Sequence, residues 1–275
     1  MLIKNAIILL LLLNLVGCGG GGGGVQPTIY PVVSLSTSHA SVAENSVTTV
    51  TLTVTASKIS DEDITVTLST SGTATDGTDY SAVNGSSLTI TAGTTTAIKT
   101  FTITDNSIYE GNETVIVAIS TVSGGSATEN GTQIETITIT ENESAPVITL
   151  ATSHTTVAED SGATITLTAT SSQAADEAIT VTLASTGTAI NGTDYSSFDG
   201  QTITIAANST TGTITGTPTD DLIYEGDEVA TIAISNVSGI DATESGTQSV
   251  SITITENESA PVITLATSHT TVAED

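Results

Sequence analysis

Residues 50–54, Val-Thr-Leu-Thr-Val, alternate apolar and hydroxyl side chains, and residues 64–68, Ile-Thr-Val-Thr-Leu, repeat the pattern. A period of two places Val50, Leu52 and Val54 on one face of a pleated strand and Thr51 and Thr53 on the other, which describes a half-buried strand. The pattern continues outward through Val115, Val117 and Ile119, and through Ile137 and Ile139. Val, Ile and Thr suit a pleated surface, and the segments between these runs are built from Gly, Asn and Ser. No stretch carries a useful helical period. The expectation is an all-β fold of short strands and turns, most simply a β-sandwich.

The same text recurs along the chain. Residues 31–39, PVVSLSTSH, return as PVITLATSH at 146–154 and again at 261–269, so each step is 115 residues (146 − 31 and 261 − 146). The step holds without a gap, since Gly77–Tyr80 matches Gly192–Tyr195 and Ile108–Gly111 matches Ile223–Gly226. A fixed period of this kind marks tandem units. Two full units are expected, repeat 1 at 31–145 and repeat 2 at 146–260, with 261–275 as the first strand of a third in a longer array. Phe101 and Ile103 become Gly216 and Pro218 in repeat 2. Proline cannot donate to a sheet ladder, so this strand is expected at an edge or with an irregularity.

The N-terminus reads as an export signal. Lys4 precedes an apolar run, Ala6 to Val16, broken only by Asn14. The run falls short of the roughly 20 residues that span a bilayer and fits a cleaved signal peptide, residues 1–17. Leu15-Val16-Gly17-Cys18 resembles a bacterial lipobox, which implies cleavage before Cys18 and acylation of its sulfur. Gly19 to Gly24 follow, and an unbroken glycine run behaves as a flexible chain, so 18–30 is expected to tether the folded units to a membrane. Gly19 stands where inner-membrane lipoproteins typically carry aspartate. The outer membrane or cell surface is therefore the expected location. Cys18 is the sole cysteine, so no disulfide can form within the chain.

Against 3 Lys+Arg stand 30 Asp+Glu, a formal net charge of −27. Phosphate recognition needs clustered cations, so nucleic acid is excluded as a partner. With 37% hydrophobic residues the chain is not a disordered acidic tract. Three histidines and no aromatic sugar platform give no catalytic constellation, and an enzyme is not expected. The acidic residues fall mainly in turns. Glu44 follows the first strand and Asp79 sits in a Gly-Thr-Asp-Tyr turn; Asp105, Glu110 and Glu113 share another turn, and Glu141 and Glu143 end the last strand. Such turns can converge at one end of a sandwich. Two carboxylates roughly 5 Å apart repel by about 3 kcal/mol at an effective dielectric of about 20, so convergence calls for a cation. Calcium, with its flexible shell of oxygen ligands, suits the set, whereas zinc would want Cys or His. The alternative is a solvated acidic rim that serves solubility. Asp61, Glu62 and Asp63, and Asp176 with Glu177, read as loop charges.

Residues 72–80, GTATDGTDY, the following Leu-Thr-Ile with its Gly turn, and 105–113, DNSIYEGNE, together resemble the Calx-beta domain. That family is an Ig-like β-sandwich with calcium-binding carboxylates at one end, and the resemblance covers nearly all of 31–260. It implies ligands Glu44, Asp79, Asp105, Glu110, Glu113, Glu141 and Glu143 in repeat 1. In repeat 2 it implies Glu159, Asp194, Asp220, Asp221, Glu225, Glu228, Glu256 and Glu258. The family's paired aspartate is Asp105-Asn106 in repeat 1 but Asp220-Asp221 in repeat 2, so repeat 2 is expected to bind better. Its terminal aspartate run is Glu-Asn-Glu here, with longer side chains. Three functional readings stay open: a calcium-stiffened adhesive stalk, a calcium-responsive module that binds a cell-surface protein or glycan, and a passive spacer.

Overall fold

A computed structural model of the chain describes residues 29–268 together with Thr271 and Glu274. The expected signal peptide, Cys18 and nearly all of the tether lie outside the described residues.

Repeat 1 comprises β1 (Val32–Thr37), β2 (Ser41–Ala43), β3 (Thr49–Ala56), β4 (Ile64–Gly72), β5 (Ser87–Ile90), β6 (Thr96–Thr102), β7 (Glu113–Ser123), β8 (Thr128–Glu129) and β9 (Ile134–Thr140). Repeat 2 follows the same plan with β10 (Val147–Thr152), β11 (Thr156–Ala158), β12 (Ile165–Ser171), β13 (Ile179–Gly187), β14 (Thr202–Ile205), β15 (Thr211–Gly216), β16 (Glu228–Ser238), β17 (Thr243–Glu244) and β18 (Ser249–Thr255). Each repeat forms a four-stranded sheet, ordered β6-β3-β1-β8 or β15-β12-β10-β17, and a five-stranded sheet, ordered β2-β9-β7-β4-β5 or β11-β18-β16-β13-β14. The period-two pattern is realised as read: Val50, Leu52 and Val54 are buried while Thr51 and Thr53 are only partly so. The apolar faces of the two sheets in each repeat close over one core.

The first strand of each repeat changes sheets. β1 pairs antiparallel with β3, and the chain then crosses so that β2 runs parallel to β9. The bond from Glu44 N–H to Thr140 O, 3.0 Å, carries that ladder one residue further and sets Glu44 beside Glu141. At the far end of β4, Gly72 holds φ 115°. A Cβ there would lie 2.1 Å from the Thr114 carbonyl oxygen, so only glycine lets the chain turn this closely off β7 into the loop bearing Asp79. Gly187 does the same in repeat 2, with φ 128°.

The strand that loses Phe101 and Ile103 lies at a sheet edge in both repeats. In repeat 2 it stops at Gly216, and Pro218 keeps only an isolated bridge to Tyr195. The missing phenyl ring is supplied from elsewhere. Phe101 packs on Tyr80 with ring centroids 5.6 Å apart, whereas in repeat 2 the partner of Tyr195 is Phe198, at 6.0 Å. Phe198 replaces Val83 by the 115-residue step, and its Cζ would lie 2.6 Å from a Cβ on Gly216. Ring and void have exchanged positions.

The expected first strand of a third unit is not formed in the described part of 261–275. Pro261–Thr267 has no strand, and Val262, Ile263 and Leu265 are exposed. Its counterparts β1 and β10 are held by β3 and β12, and no described residue takes that place for Pro261–Thr267.

Candidate metal centre

Local folding, more than proximity in sequence, assembles the carboxylates at one end of each sandwich. Tyr80 is 1% exposed and anchors its turn in the core. The adjacent Asp79 carbonyl accepts Thr104 N–H at 2.8 Å, which ties the turn to the segment leading to Asp105. The Asp79 carboxylate closes its own loop by accepting Thr75 N–H at 2.6 Å, and Asp194 accepts Ile190 N–H at the same distance. Glu113 and Glu228 open β7 and β16, while Glu141 and Glu256 follow the ends of β9 and β18.

In repeat 1 two triads result, Glu44–Glu141–Glu143 and Asp79–Glu110–Glu113, each with ligand oxygens within 4.8 Å of one another. In repeat 2 the triads share members. Glu159 belongs both to Glu159–Glu256–Glu258 and to Glu159–Asp221–Glu225, and Glu225 joins the latter to Asp194–Glu225–Glu228. Asn106 occupies the position of Asp221 and donates from Nδ2 to Glu110 Oε1 at 3.1 Å, a neutral donor where repeat 2 has a carboxylate. Asp105 and Asp220 stand outside these triads. Asp220 Oδ1 instead accepts the side-chain amide of Asn257 at 3.2 Å.

Four of the carboxylates are buried with no cationic side chain paired to them among the described residues. Glu44 is 3% exposed, Asp194 6%, Glu159 7% and Asp79 8%, and a buried ionised carboxylate is costly unless paired. Burial, together with repulsion from Glu141, Glu110 and Glu143, pushes Glu44 up to about 8. Burial and the charges of Asp79 and Glu110 push Glu113 up to about 7. Glu228 rises to about 7 through burial and a shared hydrogen bond with Asp194. Glu258 rises to about 7 because it shares a hydrogen bond with Glu256, with burial adding to it. Glu256 itself is held down to about 2 by the N–H groups of Glu258, Glu225 and Gly226. Burial would raise Glu141, but N–H groups of Glu143, Glu110 and Asn142 outweigh it and hold that carboxylate low. Glu141 Oε2 accepts Glu110 and Gly111 N–H at 2.6 and 2.8 Å. These two glutamates are thus fixed as anions by backbone donors.

Three further oxygens are buried with no hydrogen-bond partner: Glu44 Oε1, Glu143 Oε2 and Glu258 Oε2. A carboxylate oxygen is acceptor-only when ionised, so what each lacks is a donor or a cation. An all-oxygen anionic set with orphaned oxygens fits a hard cation such as calcium.

Asp176, read from sequence as a loop charge, has a second role. It is exposed in the loop after β12, yet it belongs to repeat 2 and bears electrostatically on Asp79, Glu110 and Glu113 of repeat 1. Its backbone N–H donates to Tyr109 O at 3.2 Å, which sets it next to Glu110. Only the junction between repeats creates this proximity, and no signal in the local sequence could have shown it.

The sequence profile of the Calx-beta domain matches residues 27–143 and again 141–259. Among solved structures, the CBD12 fragment of CALX1.2 is 17% identical with a TM-score of 0.38, over 82% of this chain and 100% of that one. The apo form of the Calx CBD1 domain is 20% identical with a TM-score of 0.35, over 40% of this chain and 98% of that one. The Yersinia pseudotuberculosis adhesin InvE is 15% identical with a TM-score of 0.37, over 86% of this chain and 61% of that one. No curated protein matches the chain.

Proposed function

The chain belongs to the Calx-beta family across both of its repeats, and on that premise we propose that it is a calcium-binding stalk, lipid-anchored at the bacterial outer membrane or cell surface, whose units also serve adhesion. The observation that carries the calcium reading is Glu44 Oε1, buried, partnerless and ringed by Glu141 and Glu143. Glu44, Asp79, Glu110, Glu113, Glu141 and Glu143 would hold the ion in repeat 1. Glu159, Asp194, Asp221, Glu225, Glu228, Glu256 and Glu258 would do so in repeat 2, with Asp105 and Asp220 as outer contributors. A bound cation supplies the counter-charge that these groups lack. Glu141 and Glu256, held as anions by the backbone, are ready to receive it with no proton to lose.

The stalk reading rests on the junction. Ala145 packs against the core of repeat 2, and Gln173 Nε2 donates to Ser144 O, so the connection has little slack. The anchor reading rests on the lipobox-like segment before Cys18. Among the described residues no helix is long and apolar enough to cross a membrane.

Thermal unfolding in EDTA and across a calcium titration tests the ion. Saturation at about 100 times Kd adds roughly 2.7 kcal/mol per site, so the melting temperature should climb with calcium. An unchanged melting temperature would leave the acidic end as a solvated rim and the repeats as spacers. For the anchor, Cys18→Ser should release the protein from the membrane fraction, and a Cys18→Ser chain that still sediments with membranes would exclude it.

A further inference from the structure

Repeat 1 ends in a knob that repeat 2 receives. Tyr109 is 8% exposed and belongs to the core cluster of repeat 2, not that of repeat 1. Its N–H donates to Ala174 O at 3.0 Å, its carbonyl accepts Asp176 N–H, and it forms a parallel bridge with Ala175. Its hydroxyl donates to Asp241 Oδ2 at 3.1 Å. The receiving loop holds Ile240 and Asp241 at φ 27° and 54°, and repeat 1 holds Gly125 and Ser126 in the same places at 56° and 54°, so the two faces share one backbone form.

The 115-residue step places Tyr224 where Tyr109 stands, within the same Ile-Tyr-Glu-Gly text. Yet Tyr224 is 45% exposed, beside Ile223 at 62% and Leu222 at 91%. On repeat 1, the face equivalent to the receiving face of repeat 2 is an open groove of about 330 Å³. Tyr30, Lys58, Ile59, Ser60, Asp61 and Ser126 are among its lining residues. The receiving face is thus concave with no knob from the described residues seated in it. Contiguous exposed apolar side chains mark interaction sites.

From these observations we infer that Leu222–Tyr224 is a docking knob for a further sandwich unit in line with the chain, one that presents the loop repeat 2 presents at Gln173–Asp176. The occupant is set by continuity with the junction already formed by Tyr109. Main-chain pairing supplies the fit, and Leu222, in place of Ser107, adds apolar area that the first junction lacks. The inference needs no bound ion.

Residues 261–275 repeat 146–160 without a change, so continuing the chain after Asp275 with a copy of 161–260 completes a third unit. Hydrogen exchange at the Tyr224 amide, with Tyr109 as internal standard, then reads docking in EDTA. In the lengthened chain Tyr224 should exchange at least roughly tenfold more slowly than in the original and approach the Tyr109 rate. Tyr224→Ala, at an exposed position that leaves repeat 2 folded, should release by roughly tenfold the copied counterpart of the Asp176 amide. A Tyr224 rate unchanged by lengthening would overturn the inference. Slowing in the original chain that grows with protein concentration would also overturn it, by making the occupant a second copy. Because the readout is taken in EDTA, failure of calcium to bind would leave this result intact.

Discussion

Repeats 1 and 2 share a fold and a strand plan, and three of the differences between them each isolate one force. At the core, Val83 and Phe101 become Phe198 and Gly216: the ring moves from edge strand to loop, and the pairing with the buried tyrosine survives. At the acidic end, Asn106 becomes Asp221, and separate triads become a connected set. At the distal tip, Tyr109 is buried in a neighbour and Tyr224 is not. The core tolerates the exchange because one ring still packs on the buried tyrosine, although a valine is in sum replaced by a glycine. The charge cluster gains carboxylates where repeat 1 has amides, Asp221 for Asn106 within the triads and Asp227 for Asn112 beside Glu256. The tip depends wholly on what stands next to it.

The largest effect is expected from breaking the core exchange. Phe198→Val should cost repeat 2 about 2–4 kcal/mol by opening a void beside Gly216. Gly216→Phe alone should also destabilise, because its Cβ already falls 2.6 Å from Phe198 Cζ. Combined, the two should recover most of the loss. Denaturant unfolding of all three variants gives the coupling, and simple additivity would mean that the rings do not share one site.

Next comes the acidic end. Asp221→Asn should weaken calcium binding in repeat 2 about tenfold, and Asn106→Asp should strengthen repeat 1 by a similar factor, about 1.4 kcal/mol each. Equal titrations for both variants and the parent would break the comparison.

Without calcium, pH should act in a definite direction. A carboxyl whose folded pKa is raised favours folding while protonated. Its contribution is therefore full below the unfolded value of 4.5 and is lost as pH rises through about 8 for Glu44 and about 7 for Glu113, Glu228 and Glu258. In EDTA the melting temperature should accordingly fall, by about 4 °C or more, between pH 5 and pH 8, and calcium should remove the fall. A rise over that range in EDTA would mean that these carboxyls gain no protons on folding.

The smallest effect is expected at the junction. Tyr109→Phe removes only the bond to Asp241 and should cost roughly 0.5–1 kcal/mol, read as faster exchange at Tyr109 with the melting of repeat 1 unchanged.

Much of the fold was legible in sequence because burial leaves a period. Val50 to Val54 and Ile64 to Leu68 show which face is inside, and Gly216 with Pro218 showed where an edge must lie. The β1–β2 sheet switch left no such mark, since both segments alternate in the same way. Of the site, the place of Glu44 and Glu141 in turns allowed them to converge at one end, and the parallel β2–β9 ladder is what joins them. Asp105 and Asp220, expected among the ligands, stand outside the triads, and Asp220 is turned instead to the Asn257 amide. Asp176 and Tyr109 were beyond reach for a different reason. Tyr109 and Tyr224 sit in identical text, so nothing local could tell a buried knob from an exposed one.

The central claim is that each acidic end is a calcium site and that the connected set in repeat 2 is the stronger. Calorimetric titration of the chain with calcium, repeated with Glu159→Gln and with magnesium as control, addresses it directly. Glu159 belongs to two triads of repeat 2, so its substitution should abolish the tighter class of binding and leave the weaker class in place. The absence of any saturable calcium heat in the unaltered chain at millimolar concentrations would contradict the account.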